Sequence, residues 1–267
     1  MGLLIVRLLT LLNTAGADSI DFHIAQLLLK HYSQINQLSI AEMASLINVS
    51  KSTMSKFAKK IGFDDYHDLK DNAIFVEDRY GNKLNYLTNI EKVLEKGDLN
   101  KYFNASIQDI KTLQHEIDER AIDNLAKNLV HYDKIAAFGL LFSESAALDF
   151  QYKLAYNGKF IYTCQEDLKQ LDYIRHADKD SLIIVFSNSG NFIRQKQLIP
   201  GKPKNTIFKN TSARLIAITA DPAVKQLSYI YDAIVFPHET TIQTHALLYQ
   251  IVMDLIIARY RYYASQK

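Results

Sequence analysis

The chain has 267 residues, 48% of them hydrophobic, with 31 basic and 29 acidic side chains and a formal net charge of +2. This length supports a sizeable core and one or two domains, and the single cysteine, Cys164, excludes both a disulfide framework and a cysteine zinc site. This near-neutral charge balance neither requires nor excludes a nucleic-acid partner. Only a local cluster of basic residues could therefore indicate nucleic-acid binding.

The amino-terminal stretch, MGLLIVRLLTLLNTAGADS, has the apolar run and small-residue region of a short signal peptide, but Arg7 interrupts the run and no basic segment precedes it. The run is also too short to span a bilayer. Its spacing instead predicts an amphipathic first helix that packs on the residues after it. No other segment reaches transmembrane length, so we expect a cytoplasmic protein with no membrane partner.

The chain divides by pattern into three parts. Residues 1–77 show helical periodicity throughout and contain no proline, and residues 78–110, with Gly81 and Gly97, read as a linker with helical segments. Residues 111–267 alternate short apolar runs with helical segments, which predicts an α/β domain.

Two short helices are predicted within residues 38–63. Ser39 and Glu42 form a capping box at the start of the first, and its buried face carries Ile40, Met43, Ala44 and Ile47. Asn48 tolerates the left-handed conformation that ends a helix, and Ser50 is a good N-cap for the next. So short a connection between two capped helices is typical of a helix-turn-helix.

The second helix has one apolar face and one basic face. Met54, Phe57, Ala58 and Ile61 share the apolar face, while the opposite face carries Lys51, Ser52, Ser55, Lys56, Lys59 and Lys60, with Thr53 at its edge. Four lysines on an isolated helix are usually a solvated face. Residues 1–77, however, hold only seven basic side chains against eight acidic ones, so basic charge concentrated on one helix favours a recognition helix that reads double-stranded DNA.

The stretch SIAEMASLINVSKSTMSKFAKKIGFDDYHDLK resembles the helix-turn-helix domain of the RpiR/MurR family of bacterial transcriptional regulators, chiefly in its VSKST, KF, KIGF and LK segments. The resemblance implies a carboxy-terminal sugar isomerase (SIS) domain that senses a phosphorylated sugar. It also implies a homo-oligomer, a dimer or a tetramer, since such a domain reads a two-fold operator with two copies.

Five apolar runs of the second half predict strands, at residues 134–138, 159–163, 181–186, 214–219 and 233–236. Near-continuous apolar strands that alternate with helices indicate a parallel sheet covered on both faces, here a three-layer αβα domain with five strands. The last helix, from about Thr241 to Tyr263, has an apolar stripe wide enough to suggest a second neighbour, such as another subunit.

Two loops that follow predicted strands could hold an anion. Gly139 permits a sharp turn into a helix that begins near Ser143, and Ser187, Asn188, Ser189, Gly190 and Asn191 offer hydroxyl and main-chain N–H groups. Either loop alone is more often plain turn chemistry. Both follow strands of an open α/β sheet, where ligands bind.

Together the loops resemble the two phosphosugar-binding loops of SIS domains, and Glu239 corresponds to a glutamate that such domains often place at the ligand. The sequence departs from the pattern at Leu141, where a glycine is usual, and at Phe192, where a threonine is usual. A leucine crowds close backbone approach and a phenylalanine has no hydroxyl, so the pocket is expected to be smaller or less dependent on phosphate.

Three functions stay open at this point: a sugar-phosphate-sensing transcriptional regulator, a sugar-phosphate isomerase with a helical packing domain, and a plain dimerisation module. His238, Glu239 and His245 are the acid–base candidates for an isomerase, although such residues before a helix are more often caps or surface groups. The two histidines lack a third ligand at metal spacing and no Walker loop is present, so we expect no metal, no cofactor and no enzymatic activity.

Overall fold

A computed structural model describes residues 3–73, 94, 97–194, 206–236 and 244–266, without the side chain of His245. The chain divides into two compact units, one built chiefly from the first 77 residues and the other chiefly from the residues after them.

The first unit is helical. Its helices are α1 (Leu3–Thr14), α2 (Ile20–Lys30), α3 (Ile40–Leu46), α4 (Lys51–Lys60) and α5 (Tyr66–Asp71), with a 3-10 turn at Tyr32–Gln34. The apolar stripe of α1 packs into the shared core through Leu4 and Leu8, both 0% exposed, which confirms the prediction of an amphipathic first helix.

The second unit is an α/β domain. Its helices are α6 (Leu99–Glu116), α7 (Glu119–His131), α8 (Phe142–Ala155), α9 (Asp167–His176), α10 (Asn191–Arg194), α11 (Ile207–Asn210) and α12 (His245–Ala264), with a 3-10 turn at Pro222–Gln226. Helix α6 runs across residue 110, where the sequence led us to end the linker.

The sheet has four parallel strands in the order β1 (Lys134–Phe138), β2 (Ser181–Phe186), β3 (Arg214–Thr219) and β4 (Asp232–Val235). The prediction of five strands was therefore wrong within the described residues. The run 159–163 makes only one bridge, between Tyr162 and Ala136. This run buries too little apolar surface to be stabilised as a strand, because Phe160 is 77% exposed and Ile161 is the one buried side chain of the run.

Alternate residues of each strand enter different cores, as a pleated sheet with two covered faces requires. In β2, for example, Leu182, Ile184 and Phe186 face a core shared with α7, α8 and α12, while Ile183 and Val185 face the core on the other side. In α12, Leu248, Val252 and Ile256 are completely buried, whereas Leu247 and Leu255 stay about 40% exposed. The wide apolar stripe of this helix is thus only partly buried inside the domain.

Candidate functional site: a lysine-faced helix and two strand-end loops

The turn between α3 and α4 is built by capping. The hydroxyl of Ser39 accepts the N–H of Glu42 at 3.3 Å and the Glu42 carboxylate accepts the N–H of Ser39 at 2.8 Å, which confirms the capping box. Asn48 adopts a φ of 56°, as predicted. Ser50 then caps α4 by accepting the N–H of Thr53 at 3.0 Å. The Ser50 cap fixes the start of α4, and a recognition helix directs this end into the major groove.

Helix α4 presents the predicted lysine face. Met54, Phe57 and Ala58 are buried, while five side chains are exposed: Lys51, Ser52, Lys56, Lys59 and Lys60. Ser55 and Thr53 are half-buried, and the Thr53 hydroxyl lies 2.8 Å from that of Ser50. Lys60 forms an ion pair with Asp21 of α2, an acid that sequence spacing did not connect with this face.

The first loop of the α/β domain, residues 139–141, follows β1 and is sterically restricted. A side chain at Gly139 would come within 2.5 Å of the backbone of Ser143, so only glycine lets α8 start this close to the strand. Leu141 adopts a φ of 58° and a ψ of −120°. This is a backbone region that L-residues avoid and that glycine adopts readily, so Leu141 holds it at the cost of local strain.

Gln170 of α9 holds this loop through a hydrogen bond, and no sequence pattern predicted this role. Its side chain is completely buried, and its Nε2 donates to the carbonyls of Gly139 at 2.9 Å and Cys164 at 2.8 Å. Its Oε1 is buried and has no hydrogen-bond partner in the part of the chain that the structure describes. A buried amide that fixes a loop carbonyl holds the loop in one position.

Ser143 lies in the first turn of α8, at the start of the helix as expected. Its side chain is 7% exposed, and its hydroxyl lies 3.1 Å from the phenolic oxygen of Tyr249 in α12. Its backbone N–H donates to the Leu140 carbonyl at 3.2 Å. The hydroxyl and the N–H of Ser143 thus each have a partner inside the domain, and its predicted role in ligand binding stays a prediction.

Glu144 follows Ser143 in the first turn of α8 and is half-buried. Burial raises its pKa from 4.5 to about 7, and a hydrogen bond with the Gln165 side chain opposes part of that rise. A carboxyl group with this pKa exists in both protonation states near neutral pH. The sequence offered no signal for Glu144, since its pKa depends on burial.

The second loop, residues 187–190, follows β2, the neighbour of β1 in the sheet. Ser187 continues the ladder by donating its N–H to Ile218 at 3.0 Å, and Gly190 closes the turn by donating to Ser187 at 3.0 Å with a φ of 67°. The Asn188 carbonyl accepts the Ala220 N–H, while its side-chain Oδ1 is buried and has no hydrogen-bond partner among the described residues. A ligand hydroxyl could satisfy this acceptor.

Beyond Gly190, the chain turns into the short helix α10. Phe192 points into the apolar core, with its ring centroid 5.3 Å from that of Phe208. Arg194 forms an ion pair with Asp221, which follows β3. Neither the arginine nor the aspartate was singled out from the sequence.

The structure thus brings Gly139, Ser143, Ser187, Asn188, Ser189, Gly190 and Asn191 to the carboxyl ends of neighbouring strands. Glu239 and His238 lie outside the described residues, as does the side chain of His245. Among the residues that the structure does describe, no cluster of metal-ligating side chains is found. No helix in this part of the chain is both long and apolar enough to cross a membrane.

Comparison with known proteins identifies the helical unit. Residues 10–78 match the helix-turn-helix domain of the rpiR family. A Providencia stuartii protein named as an uncharacterised HTH-type transcriptional regulator is 26% identical over 97% of this chain and 91% of its own length. The HTH-type transcriptional regulator HexR of Pseudomonas aeruginosa is 25% identical over 87% of this chain and 81% of its own length. Both relatives therefore extend over the two units.

Solved structures to which this chain is similar include the Vibrio vulnificus NanR protein complexed with ManNAc-6P. It is 15% identical, with a TM-score of 0.46, over 98% of this chain and 91% of that chain. The sugar isomerase domain of an RpiR transcription factor from Sphaerobacter thermophilus is 16% identical, with a TM-score of 0.48, over 61% of this chain and 91% of that chain.

Proposed function

We propose that this chain is a DNA-binding transcriptional regulator of the rpiR family whose α/β domain senses a phosphorylated sugar. The match of residues 10–78 to the helix-turn-helix domain of that family supports the assignment. The observation that carries the DNA-binding part is α4, a capped helix whose exposed side chains are lysines and a serine. The two relatives that match most of the chain bear names of transcriptional regulators. Residues 1–77 are the DNA-binding domain in this proposal and residues 111–267 the SIS domain.

Contact with DNA is assigned to the exposed face of α4. Ser52, Ser55 and Thr53 lie near the start of the helix, where side chains reach base edges or phosphates. Lys51, Lys56 and Lys59 carry charges that neutralise phosphates of the duplex. Lys60 is the weakest member of the set, because its ammonium group already has Asp21 as a partner.

Sensing is assigned to the two loops at the carboxyl ends of β1 and β2. Ser187, Ser189 and the main-chain groups up to Asn191 are the proposed anion-binding set, and Asn188 offers a buried acceptor to a sugar hydroxyl. Gly139 and Glu239 complete the proposed ligand set. Ser143 contributes by holding α8 against Tyr249, which differs from the direct contact expected from the sequence.

A homo-oligomer is part of the proposal, because a two-fold operator needs two reading helices at fixed spacing. Helix α6 supports it with an apolar stripe that its own domain leaves exposed: Leu99, Phe103, Ile107 and Ile110 are 38–59% exposed. Such a stripe on one helix marks an interaction surface. A monomeric mass at micromolar concentration in light scattering would contradict this part.

The decisive experiment measures binding of a random-sequence duplex by fluorescence anisotropy over a range of salt concentrations. Changing Lys51, Lys56 and Lys59 to alanine together is expected to remove most of the affinity and to flatten the salt dependence, since each lost phosphate contact lowers the slope by about 0.9. The control changes Lys101, Lys111 and Lys179, three exposed lysines of the α/β domain. If both triple variants bound the duplex with equal affinity and equal salt dependence, α4 would be ruled out as the DNA-contacting helix.

An isomerase is the second candidate, and one observation favours it. Glu144 combines half-burial with a pKa of about 7 beside the first loop, which is the property a proton-transfer group needs at neutral pH. Turnover of a hexose or hexosamine phosphate that is lost in Glu144→Gln or Glu239→Gln would establish this alternative. We propose that the chain is not an enzyme, so the expected result is binding without turnover.

A further inference from the structure

We propose that Arg194 is the phosphate-recognising side chain of the second loop, and that it replaces the hydroxyl missing at Phe192. This inference rests on the proposed sensing function. It concerns which residue selects phosphorylated over neutral ligands, a role that neither the loop pattern nor the comparisons assign to an arginine.

The first observation is position. A Cβ built on Gly190 would lie 3.6 Å from the guanidinium carbon of Arg194 and 3.1 Å from Oδ2 of Asp221. The ion pair therefore rests directly against the backbone of the second loop. The backbone N–H of Arg194 also donates to the Gly190 carbonyl at 2.9 Å, which ties the arginine to this loop by one helical turn.

The second observation is that Asp221 is fixed on its own side. Its backbone N–H donates to the Thr219 hydroxyl at 3.1 Å, and its Oδ1 accepts the N–H of Ala223 at 3.0 Å. Only Oδ2 is directed to Arg194. A guanidinium carries five N–H donors in a planar fork, so one contact to Asp221 leaves donors for a second anion.

The third observation is burial. Both side chains of the pair are only 20% exposed, so the guanidinium is largely removed from bulk water yet still reachable. A phosphoryl group that meets a partly desolvated arginine forms charge-assisted, bidentate hydrogen bonds, which are stronger than contacts to an exposed lysine. Phe192 packs against Phe208, whereas Arg194, among the residues that the structure describes, lies beside the loop and can supply positive charge to a ligand there.

The experiment measures dissociation constants by calorimetry for the full-length wild-type chain, Arg194→Gln and Asp221→Asn. The probes are inorganic phosphate and those sugar phosphates that raise the wild-type melting temperature, each paired with its unphosphorylated sugar. We expect Arg194→Gln to weaken binding of the phosphorylated probes by roughly 10- to 100-fold, the range for hydrogen bonds to charged groups, without changing affinity for neutral sugars.

Asp221→Asn is the matched control, because it removes the same ion pair while its amide oxygen can still accept the Ala223 N–H. We expect it to keep or strengthen phosphate binding, since a carboxylate beside the anion is lost. Equal weakening in both variants would mean that the pair only holds the loop, and would overturn the proposal. Sugar-phosphate binding that Arg194→Gln leaves intact would overturn it while the sensing function stands. A wild-type chain that binds neither inorganic phosphate nor any sugar phosphate would overturn both.

Discussion

The Ser143 hydroxyl lies 3.1 Å from the Tyr249 hydroxyl, in a bond that links the first turn of α8 to the amino-terminal part of α12. Tyr249 is 1% exposed and packs edge-on against Phe186 and Phe236, with centroids 5.4 and 5.0 Å away. Burial raises the pKa of Tyr249 far above its ordinary value, so the phenol stays neutral. Ser143, which the sequence predicts to bind a ligand, thus also has a buried partner inside the domain.

A prediction about Ser143 and Ser189 follows. Ser143→Ala and Tyr249→Phe are each expected to lower the free energy of unfolding by about 1–3 kcal/mol, because each removes one side of a buried hydrogen bond. Neither change should alter sugar-phosphate affinity by more than a small factor, whereas Ser189→Ala should weaken it. Denaturant unfolding and calorimetry on the three variants check this. Loss of affinity in Ser143→Ala with normal affinity in Tyr249→Phe would restore the direct ligand role of Ser143.

Leu141 offers a test of stored backbone strain. Its φ of 58° and ψ of −120° suit glycine, so Leu141→Gly is expected to stabilise the protein. Relief of strain of about 1–3 kcal/mol exceeds the entropic cost of glycine, about 0.5–1 kcal/mol. Leu140→Gly is the control: its φ is not positive, so the entropic cost remains and the variant should be destabilised. Thermal unfolding of both variants decides the matter, and a lower melting temperature for Leu141→Gly would contradict the account.

Glu144 makes stability depend on pH with a definite sign. Because burial raises its pKa from 4.5 to about 7, the folded state binds more protons than the unfolded state between these values. The free energy of unfolding should therefore fall as pH rises from about 4.5 to 7, and Glu144→Gln should remove that component. Glu116→Gln changes an exposed glutamate of α6 and serves as the control. Urea titrations at several pH values would refute the prediction if the wild-type chain and Glu144→Gln changed in parallel.

The Lys60–Asp21 ion pair predicts unequal lysines on α4. Lys56→Ala should lower the slope of log affinity against log salt by about 0.9, while Lys60→Ala should lower it less, because its charge is already paired. Asp21→Asn should act in the opposite direction and strengthen DNA binding by freeing Lys60. Anisotropy titrations measure all three variants. A larger loss from Lys60→Ala than from Lys56→Ala would show that Lys60 leaves Asp21 to bind DNA.

The sequence by itself determined the features that depend on near neighbours along the chain. The capping box of Ser39 and Glu42, the left-handed Asn48 and the Ser50 cap were all readable, because each involves groups only a few residues apart. Helical spacing likewise separated the lysine face of α4 from its buried face. Three of the predicted strands, at 134–138, 181–186 and 214–219, have the boundaries seen in the structure, because each is a continuous apolar run.

Tertiary structure alone decided the features that join distant parts of the chain. In the folded chain the run 159–163 forms only one bridge, and the Ser143 hydroxyl contacts that of Tyr249. The Gln170 side chain donates a hydrogen bond to the Gly139 carbonyl. The ion pair of Arg194 and Asp221 lies beside Gly190. The pKa of Glu144 likewise comes from burial among residues remote in sequence. No local pattern encodes these contacts, since hydrogen bonding, desolvation and ion pairing act through space between residues that only the folded chain brings together.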